Sequence, residues 1–66
     1  MIHFEHYLNK KVRVITMVLF RNGRKINTHY IGLITAVENH EIFLKEVDEK
    51  VVSIMKKHIK RIEEIK

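Results

Sequence analysis

The chain contains no cysteine, no proline, no tryptophan and no glutamine, and only two glycines in 66 residues. Without cysteine there is no disulfide framework, no thiolate nucleophile and no cysteine-based metal site. Five histidines remain, and His3 and His6 fit one face of a helical turn. Histidine alone makes a poor structural zinc site, however, so neither a metal nor another cofactor is expected. Without proline, turns fall to Gly, Asn and Asp, which makes Gly23 and Gly32 informative positions. No apolar run approaches the roughly 18 residues of a membrane-spanning helix. Met1 to Lys10 lacks the apolar stretch of a secretory signal. The expectation is a soluble, cytoplasmic protein. A Gly-rich phosphate loop and any metal-ligand spacing are also missing. Glu38 with Glu41, and Glu63 with Glu64, are carboxylate pairs without a nucleophile, and a Ser53–His58 pair lacks an orienting third group. An enzyme is not expected.

What is present is small and basic. Sixty-six residues make one domain, residues 1–66, and a domain of that size buries only about 60% of its unfolded surface. Such chains usually add disulfides, a metal or self-association, and with the first two set aside, self-association remains. Thirteen Lys and Arg against eight Asp and Glu give a net charge of +5 and a pI near 9.8. A surplus of this size on so small a surface is the electrostatic footprint of a polyanion-binding domain.

Along the chain, Phe4 and Leu8 lie four apart and predict a short N-terminal helix. Asn9 provides its stop, since asparagine tolerates the left-handed conformation. Val12–Phe20 is rich in β-branched and aromatic residues and reads as a strand. Asn22-Gly23 then predicts a two-residue type I′ hairpin turn. That turn sets Leu19 opposite Ile26, Met17 opposite Thr28 and Ile15 opposite Tyr30, with the return strand over 25–37. Glu38-Asn39-His40 breaks the pattern. Further strands are expected at Glu41–Val47, Val51–Ile54 and Ile59–Ile62, separated by Asp48-Glu49-Lys50 and Lys56-Lys57-His58. The last third has a second reading. Val51, Ile54, Met55, His58, Ile59, Ile62 and Ile65 recur at spacings of three and four, which periodicity alone assigns to an amphipathic helix. In that case the fold is a three-stranded sheet plus a C-terminal helix.

The stretch Gly32-Leu33-Ile34-Thr35-Ala36-Val37-Glu38-Asn39-His40-Glu41-Ile42-Phe43-Leu44 resembles the central G-x-I-x-x-F-D-N-F-x-V-x-L of Hfq proteins. Ile54-Met55-Lys56-Lys57-His58-Ile59-Lys60-Arg61-Ile62 is similar to their I-Y-K-H-A-I-S-x-I, and equally to the I-R-G-x-x-V-x-x-I of Sm proteins. Leu8 to Val14 resembles the L-x-x-x-V-x-V entry to the first strand. The resemblance implies a mainly β fold: a short N-terminal helix, then a five-stranded, strongly bent antiparallel barrel of the Sm-like, SH3-like kind. It implies an RNA chaperone or post-transcriptional regulator that binds single-stranded RNA as a homo-oligomeric ring of six or seven, closed through edge strands near 51–55 and 58–63. It also resolves the last third as two strands. One departure is that both arms of the first hairpin are about four residues longer than in the family, adding about 13 Å at about 3.3 Å per residue.

Carried over by position, the resemblance implies RNA-binding roles for Asn39, His40, Lys56, Lys57 and His58. Asn39 matches the family's Asn and His40 its stacking aromatic. Lys56 matches its Lys, while Lys57 replaces a His and Met55 a Tyr. An asparagine amide offers donor and acceptor to a base edge, an aromatic ring stacks on a base, and lysines meet phosphate. Read without the family, Asn39-His40 is also an ordinary polar turn and Lys56-Lys57 a solvated loop. Arg21, Arg24 and Lys25 at the hairpin tip are candidate phosphate contacts, or simply a charged tip that keeps a loop soluble. Two other functional readings fit the composition. One is a monomeric or dimeric SH3-like barrel binding duplex DNA or structured RNA, and the other is a protein-interaction module docking through the long hairpin.

Overall fold

The computed structural model describes residues 2–66. They form five antiparallel strands in one sheet, β1 (Lys11–Leu19), β2 (Lys25–Val37), β3 (Glu41–Glu46), β4 (Val51–Met55) and β5 (Ile59–Glu64). The order across the sheet is β4-β3-β2-β1-β5. The only helical turns among the described residues are 3-10 turns at Phe4–Tyr7 and Lys56–His58. The N-terminal helix is therefore one tight turn rather than an α-helix: Asn9 takes φ 64° and redirects the chain into β1. The C-terminal helix is not formed, because Lys56–His58 separates two strands. No helix among the described residues is long and apolar enough to cross a membrane.

Alternation builds the core. Val12 and Val14 of β1, Ile34 of β2, Ile42 and Leu44 of β3, Ile54 of β4 and Ile59 of β5 are buried together. Each strand turns every second side chain to one face. Ile2, Phe4, Tyr7, Tyr30, Val37, Val52 and Ile62 pack around this cluster. Thr16 is the buried polar residue, and its hydroxyl donates to the Thr28 carbonyl at 3.2 Å.

Two interruptions of the alternation bend the sheet. Ile34 pairs with Leu44 and Ala36 with Phe43, which leaves Thr35 as an extra residue in β2. On the other side Ile15 pairs with Arg61 and Thr16 with Ile59, leaving Lys60 extra in β5. Such bulges kink and twist the strand that carries them. The connection from β4 to β5 requires this curl. The two are opposite edges of the sheet, about 19 Å apart if it were flat at about 4.8 Å per strand. Yet Met55 and Ile59 are joined by a three-residue turn that spans at most about 14 Å. β4 and β5 are not paired with each other, so each keeps one open edge.

The first hairpin is one register step from the sequence expectation. Leu19 pairs with Lys25, Val18 with Ile26, Met17 with Asn27 and Thr16 with Thr28. Its loop has three residues, Arg21-Asn22-Gly23, with the Gly23 amide donating to the Phe20 carbonyl at 3.0 Å. Gly23 takes φ 81°, and Asn22 does not share a positive φ as a type I′ turn demands. Instead the Asn22 side-chain carbonyl accepts the Arg24 amide at 3.0 Å. The correction moves Ile26 onto the same face as Val18, since directly opposed residues share a face.

Candidate nucleic-acid interface

Asn39 and His40 form the turn between β2 and β3, closed by the Glu38 amide on the Glu41 carbonyl at 2.8 Å. Lys56-Lys57-His58 is the 3-10 turn between β4 and β5. Seventeen positions separate His40 from Lys57 in the chain, but the two turns touch. The Lys56 amide donates to the His40 carbonyl at 2.9 Å, continuing the β3–β4 ladder one step past the Glu41–Met55 pair. Asn39, His40 and Lys57 are exposed. None of their side chains is engaged in a hydrogen bond or ion pair among the described residues. An amide, an imidazole and an ammonium group therefore share one end of the sheet, open to solvent.

Lys56 and His58 are placed differently. The Lys56 ammonium lies 5.0 Å from the centre of the Phe4 ring, a cation–π contact that ties the N-terminal turn to this end of the sheet. His58 is half-buried. It lines a groove of about 150 Å³ with Thr16, Val18, Thr28, Tyr30, Ser53, Ile54 and Met55. The Ser53 hydroxyl donates to the Glu41 carboxylate at 2.7 Å. Sequence reading missed both Phe4 and Tyr30 here, because no local pattern links them to a turn dozens of residues away.

Arg21, Arg24 and Lys25 are not part of this cluster. They occupy the tip of the first hairpin, at the opposite end of β2 from Asn39. Lys10, Arg13, Lys45 and Arg61 are in ion pairs with Glu64, Glu63, Glu49 and Glu63. Among the described residues, the other nine of the thirteen Lys and Arg are in none. A further cavity is lined by Ile2, His3, His6, Tyr7, Arg61 and Ile62, but its arginine is held by Glu63 at 3.2 Å. No group of three or more His, Asp and Glu among the described residues is placed to hold a metal ion.

Comparison with protein-family models, curated proteins and solved structures finds no match for this chain.

Proposed function

We propose that this protein is an Sm/Hfq-like RNA-binding protein, in which copies of the curled sheet close as small barrels into a ring and hold short single-stranded RNA. The observation that carries this reading is the hydrogen bond from the Lys56 amide to the His40 carbonyl. It joins the two turns that resemble the family's RNA-contacting loops, and on this reading Asn39 would meet a base edge, His40 would stack and Lys57 would meet phosphate. The bond is a main-chain contact, so it survives the replacement of the family's Phe, His and Tyr by His40, Lys57 and Met55.

The ring is supported by what the single chain leaves open. β4 and β5 are edge strands with one unpaired side each. Val51 and Met55 are exposed on β4, and only eight hydrophobic residues are buried among the described residues. Open edges pair with other chains unless protected, and pairing β4 of one copy with β5 of the next closes a ring. One weak pocket per copy, repeated around that ring, holds a short single strand by avidity. The role that follows is that of an RNA chaperone or post-transcriptional regulator in the cytoplasm.

The test has two stages. Light scattering after size exclusion at moderate salt should give a species near 48 kDa for six copies of the 8.0 kDa chain, or 56 kDa for seven. Oligouridine and oligoadenosine are then titrated against the wild type and the Asn39→Ala and His40→Ala variants. Loss of affinity in either variant, roughly fivefold or more for a lost stack, supports the reading. A monomer or dimer that prefers duplex to single strand would overturn it.

A further inference from the structure

We infer that the long first hairpin is a second, sequence-independent contact for the same single strand, a cationic arm whose inner face continues the track from the turn site. The inference rests on the RNA-binding reading above. Its first support is charge. No Asp or Glu occurs anywhere between His6 and Val37, while Lys11, Arg13, Arg21, Arg24 and Lys25 all do. Arg21, Arg24 and Lys25 at the tip are exposed and in no ion pair among the described residues. Arg13 lies nearer the base of the arm and pairs with Glu63, so the free cations are those of the tip, and a cluster of unpaired cations is complementary to a phosphate backbone.

The second support is the freedom of the arm. β5 pairs with β1 no further than Thr16, and β3 pairs with β2 no nearer the tip than Gly32. From Met17 to Ile31 the two strands pair only with each other, as a ribbon that projects past its neighbours. The third support is the chain of side chains on its inner face. The groove at His58 is bordered by Thr16, Val18, Thr28 and Tyr30. Val18 is opposite Ile26 on the same face, and Phe20 follows two positions beyond Val18. Tyr30 to Ile26 covers about 13 Å at about 3.3 Å per residue. Phe20 is 45% exposed and Ile26 43% exposed. The track thus runs from His58 across Tyr30 to Phe20 and ends on Arg21 and Arg24. Stacking rings combined with a cationic track are the recurring means of gripping a single strand without reading its sequence.

A lipid surface fits the arm less well. Arg21, Asn22, Gly23 and Arg24 lie at its apex, so insertion would carry two guanidinium groups ahead of Leu19 and Phe20. Charges at depth in a bilayer are costly.

The experiment measures the affinity of a labelled oligouridine and its dependence on salt. The proteins compared are the wild type, Arg21→Ala/Arg24→Ala, Phe20→Leu and Lys50→Ala. Each phosphate contact to a single strand contributes about 0.7 to the log–log salt slope, so the double variant should lower it by about 1.4 and weaken oligoadenosine and oligouridine equally. Phe20→Leu keeps an apolar side chain and removes the ring, and should cost roughly fivefold or more in affinity. Lys50→Ala removes one charge from the other hairpin tip and should leave the slope unchanged. Arm variants that bind within twofold of wild type overturn the inference, and so does a Phe20→Leu protein that changes only the solution mass, since the arm would then serve a neighbouring copy. The turn site is scored separately by Asn39→Ala and His40→Ala, so either reading can fail without the other.

Discussion

Gly32 and Lys45 approach so closely that a Cβ on Gly32 would stand 2.3 Å from the Lys45 carbonyl oxygen. Gly32 pairs with Glu46, the next residue, at the point where β3 runs out and β2 continues alone into the long hairpin. The contact is with main chain, which cannot swing aside as a flexible side chain would. This is where the curled part of the sheet meets the projecting arm.

Replacing Gly32 with alanine should therefore force β2 and β3 apart. Overpacking of this kind costs about 2–3 kcal/mol. The expected result is a clear drop in the urea midpoint at fixed protein concentration, with β-sheet circular dichroism retained in the absence of denaturant. An unchanged midpoint would show that the two strands can separate without penalty.

The two hairpins use the same loop with different residues at the left-handed position. In the β3–β4 hairpin the Glu49 amide donates to Glu46 at 2.9 Å and Asp48 accepts the Lys50 amide at 3.1 Å. This repeats the geometry of Phe20, Asn22, Gly23 and Arg24. Gly23 takes φ 81° without strain, whereas Glu49 must hold φ 69°, a region that disfavours residues bearing a Cβ. Glu49→Gly should stabilise the protein by about 0.5–1 kcal/mol and Gly23→Ala should destabilise it by about 1 kcal/mol. Thermal melts of the two variants should move in opposite directions.

Deleting Arg21 is expected to be tolerated. It would leave Asn22-Gly23 as a two-residue loop between Phe20 and Arg24, a sequence well suited to a type I′ turn, with every strand pair kept. Amide NMR shifts of β1 and β2 away from the tip should stay close to those of the wild type. Broad loss of those resonances would mean that the three-residue loop itself sets the register.

If copies join through their open edges, a charge placed on β4 should block them. Val51 is 55% exposed, and Val51→Lys imitates the protection that edge strands commonly carry. Its solution mass should fall toward that of the 8.0 kDa chain. A variant that keeps the assembled mass would exclude β4 from the interface.

Much of this fold was legible in the residues. β2 begins at Lys25 and ends at Val37, as expected of a return strand between the Asn22-Gly23 turn and the polar break at Glu38-Asn39-His40. The C-terminal ambiguity had a concrete cause. Lys60 is a bulge residue, so Ile59 and Ile62 face the core although they are three apart. Thr35 does the same for Ile34 and Val37. A bulged strand and a helix both place apolar residues at spacings of three, and periodicity cannot separate them.

By itself the sequence determined what local chemistry controls: the first three strands, the places of the turns between them, the left-handed position of Asn9, and a cationic hairpin without acids. Only the tertiary structure decided the hairpin register, since Asn-Gly serves a two-residue or a three-residue loop equally and the Asn22 side chain selects one. It also decided which distant groups meet. His40 reaches Lys56 because the β3–β4 ladder runs one step past the Glu41–Met55 pair, and Phe4 reaches the Lys56 ammonium because the N-terminal turn packs against the same core, contacts between distant residues that no local spacing encodes.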